Sequence, residues 1–414
     1  MNRHLLLVPG FGGFDALGTF RYYEGVTRVL ERTPLVLHYF PNLPTASVRT
    51  RAEQLLSFLA ERWRRRLIGP EDEVHLVGHS TGGLDLRQLL LRYRELEEKQ
   101  RQGGQGAELA ALEALGRIRS VQFLSTPQRG TNLASRLGRP LVRSLLFKPL
   151  MRGGYEGARG LREWGTSASS RVLRTVLRRR SRRESDNWVD ALLDTLEGCH
   201  STRGPQREAL ARSSYFELLR WLLHMASDVS ALSDLCPEPP PEDVPPSPAH
   251  LQDAEPERHF LHTHGIRYAS LATVAHPRSG RWVDLFNRLH ALTAHAPSPR
   301  LDPAQPLQWL SSPGEHHMLA PSDNDGLVNT VSMVWPDPES CFLVRADHAD
   351  VIGHFQSAAA EEPFGAWRRY DLLNSASGFG EAEFEALWLR IAAFAEGQPY
   401  QERGEPGGER VAAV

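Results

Sequence analysis

The sequence predicts an α/β fold: a mostly parallel central sheet with helices on both faces, carrying a large helical insertion as a cap or lid. Three observations predict it. Short apolar runs alternate with amphipathic stretches over the first 135 residues, the alternation resumes near residue 265, and a segment of different character separates the two. Repeated strand–helix–strand units need crossover connections between parallel strands, and the crossover helices cover both faces of the sheet.

Each element follows from its own stretch of sequence. RHLLLVPG (3–10) is an apolar run closed by glycine, and PLVLHYF (34–40) is β-branched and aromatic. VRTRAEQLLSFLAERW (48–63) has helical spacing, with Ala52, Leu55, Leu56 and Leu59 on one face. EVHLVGH (73–79) is a buried strand, LDLRQLLLRYRELEEK (84–99) a helix, and IRSVQFLSTP (118–127) a strand again. Late in the chain GIRYASLATVA (265–275) and CFLVRAD (341–347) read as strands. FEALWLRIAAFAEG (384–397) reads as a closing helix with Phe384, Leu387, Trp388 and Ile391 at i, i+3, i+4, i+7. The core is therefore expected over 1–137 and 258–397, the insertion over 138–257, and a disordered tail over 398–414, which is rich in Gly, Glu and Arg.

Composition narrows the class. The chain has 414 residues, 41% of them hydrophobic, and a formal net charge of −2, which excludes a wholly disordered or collagen-like protein and gives no global pull toward nucleic acid. The three cysteines, Cys199, Cys236 and Cys341, cannot all pair, so a reducing compartment is expected. The apolar run Leu5–Val8 is too short for a signal-peptide core, and no run of about 18 apolar residues could span a membrane. A cytoplasmic location is the expectation.

The sharpest motif is Gly78-His79-Ser80-Thr81-Gly82-Gly83, a G-x-S-x-G sequence between a buried strand and an amphipathic helix. A sharp strand-to-helix turn would hold Ser80 in a strained conformation with its hydroxyl at the top of the sheet, and flanking glycines would let the backbone close around it. A serine nucleophile needs donors for an oxyanion. Pro9-Gly10-Phe11-Gly12-Gly13 follows the first strand, and the backbone N–H groups of Phe11 and Thr81 are the candidates. A dinucleotide loop is disfavoured, because the G-x-G-x-x-G spacing is missing.

A base and an acid are also required, and the order serine, then acid, then histidine is the one α/β-hydrolases use. Two late loops qualify. Asp325 lies in Ser322-Asp323-Asn324-Asp325-Gly326-Leu327-Val328 ahead of an expected helix, and His348 in Asp347-His348-Ala349-Asp350 just past a strand. An Asn-Asp-Gly segment is also a common Asx turn or helix cap. Asp323 competes for the acid, and His354 and His317 for the base.

Taken together these stretches resemble α/β-hydrolase-fold lipases and esterases, and among them bacterial triacylglycerol lipases. HLLLVPGFGG is similar to their oxyanion strand and loop, VHLVGHSTGGLDLRQLL to their nucleophile elbow, and VQFLSTPQRGTNLA to their "TPHRGS" segment. NDGLV resembles the catalytic-acid loop and DHADVIG the catalytic-histidine loop, here 23 residues apart from Asp325 to His348. The resemblance covers 1–137 and 260–357. It departs at Pro9, where a histidine is usual, and at Gln128, the histidine of "TPHRG". It implies an α/β-hydrolase fold and ester hydrolysis through Ser80, His348 and Asp325. The same triad would serve an acyltransferase, and a silent binding module on this fold would normally have lost one member. The resemblance implies no organic cofactor. It leaves room for a structural calcium near Asp350, with Asp302 the only other carboxylate that suggested itself.

The insertion carries two further signals. From Arg136 to Arg183 there are fourteen Arg or Lys against Glu156 and Glu163, densest in RVLRTVLRRRSRR (171–183). A basic amphipathic helix of this kind suits an anionic membrane surface, while a solvated cap face is the plainer alternative. No aromatic interleaving supports nucleic-acid binding. SSYFELLRWLLHMA (213–226) is an apolar helix whose Tyr215, Phe216, Leu219, Trp221 and Leu222 would face a core or a lipid-like substrate. PEPPPEDVPPSPAH (237–250) reads as a linker or surface loop.

Overall fold

The computed structural model describes residues 1–137 and 230–400, apart from residue 12, parts of 14–19, residue 44, 104–108, parts of 239–244, residue 252, 279–284, 295–305 and 356–370. The arginine-rich stretch beyond residue 137, the expected helix at 213–226 and Asp302 lie outside the described residues.

Eight strands form one sheet: β1 Arg3–Val8, β2 Leu35–Tyr39, β3 Glu73–His79, β4 Ile118–Leu124, β5 Arg267–Val274, β6 Pro306–Trp309, β7 His316–Met318 and β8 Cys341–Arg345. Their order is β2-β1-β3-β4-β5-β8-β6-β7. All pairs are parallel except β6 with β7. This is the α/β arrangement the sequence predicts.

Helices cover both faces. On one side lie α2 (Val48–Arg64), α3 (Thr81–Arg101), α4 (Leu109–Leu115) and α7 (Glu255–Thr263). Leu55, Leu56 and Leu59 of α2 and Leu86, Leu89 and Leu90 of α3 pack there on Leu6, Leu76 and Val121 of the strands. On the other side α1 (Val26–Leu30) and α9 (Glu381–Ala395) bury Val26, Val29, Phe384, Leu387, Trp388 and Ile391 against Leu5, Leu7 and Val77. Both sides of β1, β3 and β4 are covered, so these strands are largely apolar, with His75, Ser120 and Gln122 among the buried polar exceptions. Three further α-helices are described: α5 (Asn132–Leu137), α6 (Ser230–Asp234) and α8 (Leu285–Ala294).

Three expectations change. The helix expected after NDGLV is a single 3-10 turn, Thr330–Met333. Of the tail expected over 398–414, residues 398–400 are described, and the rest lies outside the described residues. Tyr400 packs on Phe394, with ring centroids 4.9 Å apart, and its hydroxyl donates to Gln122. An aromatic side chain with a partner under the sheet is held in place, which composition alone did not register. The proline-rich stretch is anchored at its end, where Ser247, Pro248 and Ala249 are buried and the Ser247 hydroxyl donates to the Asp234 carbonyl at 2.8 Å.

The loops of interest leave the sheet at one end. Ser80 follows β3, Phe11 follows β1, and His348 lies three residues beyond β8. In open α/β sheets the crevice at the carboxyl ends of the strands is where ligands bind.

Candidate active site

Ser80 joins β3 to α3 with φ 55 and ψ −130. A positive φ is costly for a residue with a Cβ and persists only where surroundings impose it. Here they do: the Ser80 N–H donates to the Leu124 carbonyl at 2.9 Å, and its carbonyl accepts from Gly83 N at 3.0 Å. The two motif glycines are required by space. A Cβ on Gly78 would lie 2.6 Å from Gly82 O and Gly83 Cα, and one on Gly82 would lie 2.3 Å from Val8 O.

The donor positions flank this turn. Thr81 is the first residue of α3, so its N–H belongs to the helical turn that lacks intrahelical partners. Gly10 presses against the serine: a Cβ there would stand 2.6 Å from Ser80 Cβ. The Gly10 N–H donates to the Tyr22 hydroxyl at 2.8 Å, which leaves Phe11 as the next amide along the loop.

His348 and Asp325 are brought together. His348 Nδ1 lies 2.7 Å from Asp325 Oδ2, and the His348 N–H donates to the Asp325 carbonyl at 3.1 Å. The carboxylate is held on every side. Its Oδ1 accepts from Leu327 N at 3.0 Å and Val328 N at 2.8 Å. Its Oδ2 also accepts from the Thr273 hydroxyl at 2.7 Å, and that hydroxyl lies 2.9 Å from the Ser125 hydroxyl. The turn-forming and the histidine-orienting uses of Asp325 therefore coexist, one on each oxygen. Among the described residues no hydrogen bond joins Ser80 Oγ to His348. Such contacts are often loose before substrate binds.

The competitors are engaged elsewhere. Asp323 Oδ2 lies 2.9 Å from His317 Nε2 and accepts from Ala320 N at 2.9 Å, and His354 Nε2 lies 3.2 Å from the Tyr22 carbonyl. Neither Asp323 nor His317 contacts His348.

Tyr22 and Thr273 were not legible as site residues, since each contacts the site across a long sequence separation and lies in no motif of its own; His79 and Ser125 lie within motif stretches that assign them no role. The same holds for a second cluster. Asp347, Asp350 and Asp371 bring one carboxylate oxygen each to within 4.8 Å of one another. Burial, and then the Asp371 charge, pushes Asp347 up to about 7. Burial, and then the Asp347 charge, pushes Asp350 well above the usual carboxylate range. Asp350 was expected as a ligand position; Asp347 and Asp371 were not.

Comparison with known proteins follows the same line. No family model matches the chain. A lipase of Staphylococcus epidermidis is 37% identical over 105 residues, and lipase 1 of Staphylococcus aureus (strain Mu50 / ATCC 700699) is 38% identical over 105. Each match covers 23% of this chain and 15% of the relative, so the chain matches only a small part of the length of these curated proteins. Among solved structures, Staphylococcus hyicus lipase superposes with a TM-score of 0.47 at 16% identity over 95% of both chains. Lipase 1 from Pelosinus fermentans gives 0.44 at 15% identity over 95% of this chain and 99% of that one.

Proposed function

We propose that this chain is a serine hydrolase that cleaves carboxylic esters with lipid-like acyl groups. The observation that carries the reading is the His348–Asp325 pair on loops at the same end of the sheet as a serine held at positive φ. Ser80 Oγ attacks the acyl carbon, His348 takes its proton and returns it to the leaving alcohol, and Asp325 holds the imidazolium. Water then attacks the acyl-enzyme, the carboxylic acid leaves, and Ser80 recovers its proton. The Phe11 and Thr81 N–H groups face the oxyanion, where one such donor is worth about 3–4 kcal/mol.

Two features support the lipid-like substrate. The staphylococcal relatives matched over 105 residues are named as lipases. The insertion also departs and returns at the carboxyl end of the sheet, since Thr131 N donates to the Leu235 carbonyl at 2.9 Å. We assign 138–257 as a cap over Ser80, with the basic run 171–183 contacting anionic surfaces, and we place the protein in the cytoplasm. The test is turnover of p-nitrophenyl esters from two to sixteen carbons, alongside fluorophosphonate labelling. Wild type should be labelled and Ser80→Ala should not. Each buried methylene should raise kcat/KM by at most about fourfold until the pocket fills. Labelling that survives Ser80→Ala, or a kcat/KM that falls steadily from the two-carbon ester, would refute the nucleophile or the substrate class respectively.

We further assign Asp347, Asp350 and Asp371 as a site for a hard divalent cation. Three buried carboxylate oxygens that repel one another suit calcium, which takes oxygen ligands. When bound, the cation supplies positive charge that offsets this repulsion. The residues themselves brace the His348 loop: Asp347 Oδ1 accepts from Ala349 N at 2.9 Å and Asp350 N at 3.0 Å, while Asp350 Oδ2 accepts from the Ser377 hydroxyl at 2.7 Å.

A further inference from the structure

We propose that Tyr22 and His79 form a directional hydrogen-bonded relay that fixes the oxyanion loop and the His348 loop relative to Ser80, making both of them positioning residues. The inference rests on the hydrolase reading of Ser80 and deepens it.

The relay has three links. The Gly10 N–H donates to Tyr22 Oη at 2.8 Å. Tyr22 Oη lies 2.7 Å from His79 Nδ1. His79 Nε2 lies 3.0 Å from the His348 carbonyl oxygen. Its two ends settle its direction, because an amide N–H can only donate and a carbonyl can only accept. Tyr22 must therefore pass its own proton toward Nδ1, and His79 must be the neutral Nε2–H tautomer. Burial pushes the Tyr22 hydroxyl up and His79 well below the ordinary histidine range, so both stay neutral at working pH.

The links end on the working parts of the site. Gly10 precedes Phe11, and a Cβ on Gly10 would lie 2.6 Å from Ser80 Cβ and 2.9 Å from Tyr22 Oη. Anchoring the Gly10 amide therefore sets the peptide plane that leads to the Phe11 N–H. At the far end the His79 ring packs against the His348 ring, with centroids 4.7 Å apart. The segment around Tyr22 is stitched to both loops as well. Tyr23 Oη donates to the Val8 carbonyl at 2.8 Å, and Glu24 N donates to the Ile352 carbonyl at 2.8 Å.

A purely structural role would need only an aromatic ring at position 22. A buried hydroxyl costs stability unless it is bonded, and the bonds of this one to Gly10 and His79 lead to functional loops.

The experiment measures kcat, KM and melting temperature for wild type, Tyr22→Phe, His79→Asn and the double variant, with p-nitrophenyl butyrate. Removing one well-oriented oxyanion donor costs about 100- to 1,000-fold in kcat, so loosening one should cost about 10- to 100-fold. KM should stay within about twofold of wild type, and the double variant should lose no more than the worse single variant, since linked groups are not additive. If the losses multiply, or Tyr22→Phe turns over like wild type, the relay is wrong while the hydrolase reading stands. If wild type neither turns over esters nor is labelled at Ser80, both fail. A second measurement covers variants that do not fold. The ¹⁵N spectrum of histidine-labelled wild type should show His79 protonated at Nε2 and bare at Nδ1, and the opposite tautomer would overturn the relay.

Discussion

A methyl group at position 82 would have nowhere to go. It would meet Val8 O at 2.3 Å and Pro9 O at 2.8 Å, both backbone atoms that cannot swing aside. Gly82→Ala should therefore push β1 away from α3. Overpacking typically costs about 1–3 kcal/mol, and here the displaced strand end leads into the Phe11 loop. Thermal melts should show a lower Tm and ester turnover should collapse. Gly103→Ala is the contrast. Its φ is positive, at +84, unlike that of Gly82, but nothing lies within 4 Å of the added Cβ, so the cost should be only about 1–2 kcal/mol and turnover should survive. A melt in which the two variants lose the same stability would refute the steric account. At this scale the sequence was legible wherever a short motif set the geometry. Gly78, Ser80 and Gly82 could be read together, and so could Asp325 with its Asn-Asp-Gly turn. Tyr22 and Thr273 could not, because the hydroxyl of each matters only through partners far away in sequence.

Between helices, two buried ion pairs hold the layers that flank the elbow. Arg51 of α2 meets Asp85 of α3 at 2.8 Å, and Arg87 of α3 meets Glu257 of α7 at 2.6 Å, with both arginines fully buried. Arg51 Nη2 also donates to the Thr81 carbonyl at 3.3 Å, at the start of α3. Burial pushes Asp85 up to about 7 even though Arg51 opposes the shift. Arg51→Met should cost about 3–5 kcal/mol, because a buried carboxylate is left alone, while the pair Arg51→Met with Asp85→Leu should recover most of it. Urea denaturation measures both; a double variant as unstable as the single would show that the pair stabilises beyond mutual compensation. Periodicity identified α2 and α3 from their leucines but could not foresee an arginine inside the face. The hairpin of β6 and β7 was missed for a different reason. At four and three residues, with exposed positions in both, these strands are too short to show an alternating pattern.

Across the whole molecule, the Asp347, Asp350 and Asp371 cluster ties the loop after β8 to the chain ahead of α9. The pH dependence has a defined sign. These carboxyls are raised in the folded state, so without a cation the native protein holds more protons than the unfolded chain between about pH 4 and 7. Stability then falls as pH rises through that window. A bound cation displaces those protons and removes the loss. Chelation should thus lower Tm more at pH 8 than at pH 5, and calcium should restore it; at 100 times its Kd a ligand adds about 2.7 kcal/mol. An identical melt with and without chelator at pH 8 would discard the site. The sheet itself was legible at this scale because parallel strands covered on both faces are predominantly apolar. The cluster was not, since Asp371 lies 21 residues past Asp350 with no motif joining them.

The contact between Thr131 and Leu235 also bears on how such a chain could be inherited. A Cβ on Gly130 would lie 2.6 Å from the Leu235 oxygen, so the two places where the insertion meets the sheet are neighbours. Closure entropy grows only slowly with loop length, at about 0.6 kcal/mol per doubling, so a change of length between these two anchors should cost little. That stretch can lengthen, shorten or be exchanged while the strands keep their register. Replacing 138–229 with a short Gly-Ser linker should leave a cooperative melt and fluorophosphonate labelling at Ser80, while preference among acyl chains is lost. If that outcome holds, ester cleavage and the choice of acyl chain would be separately heritable, and indel or recombination could rewrite one without the other.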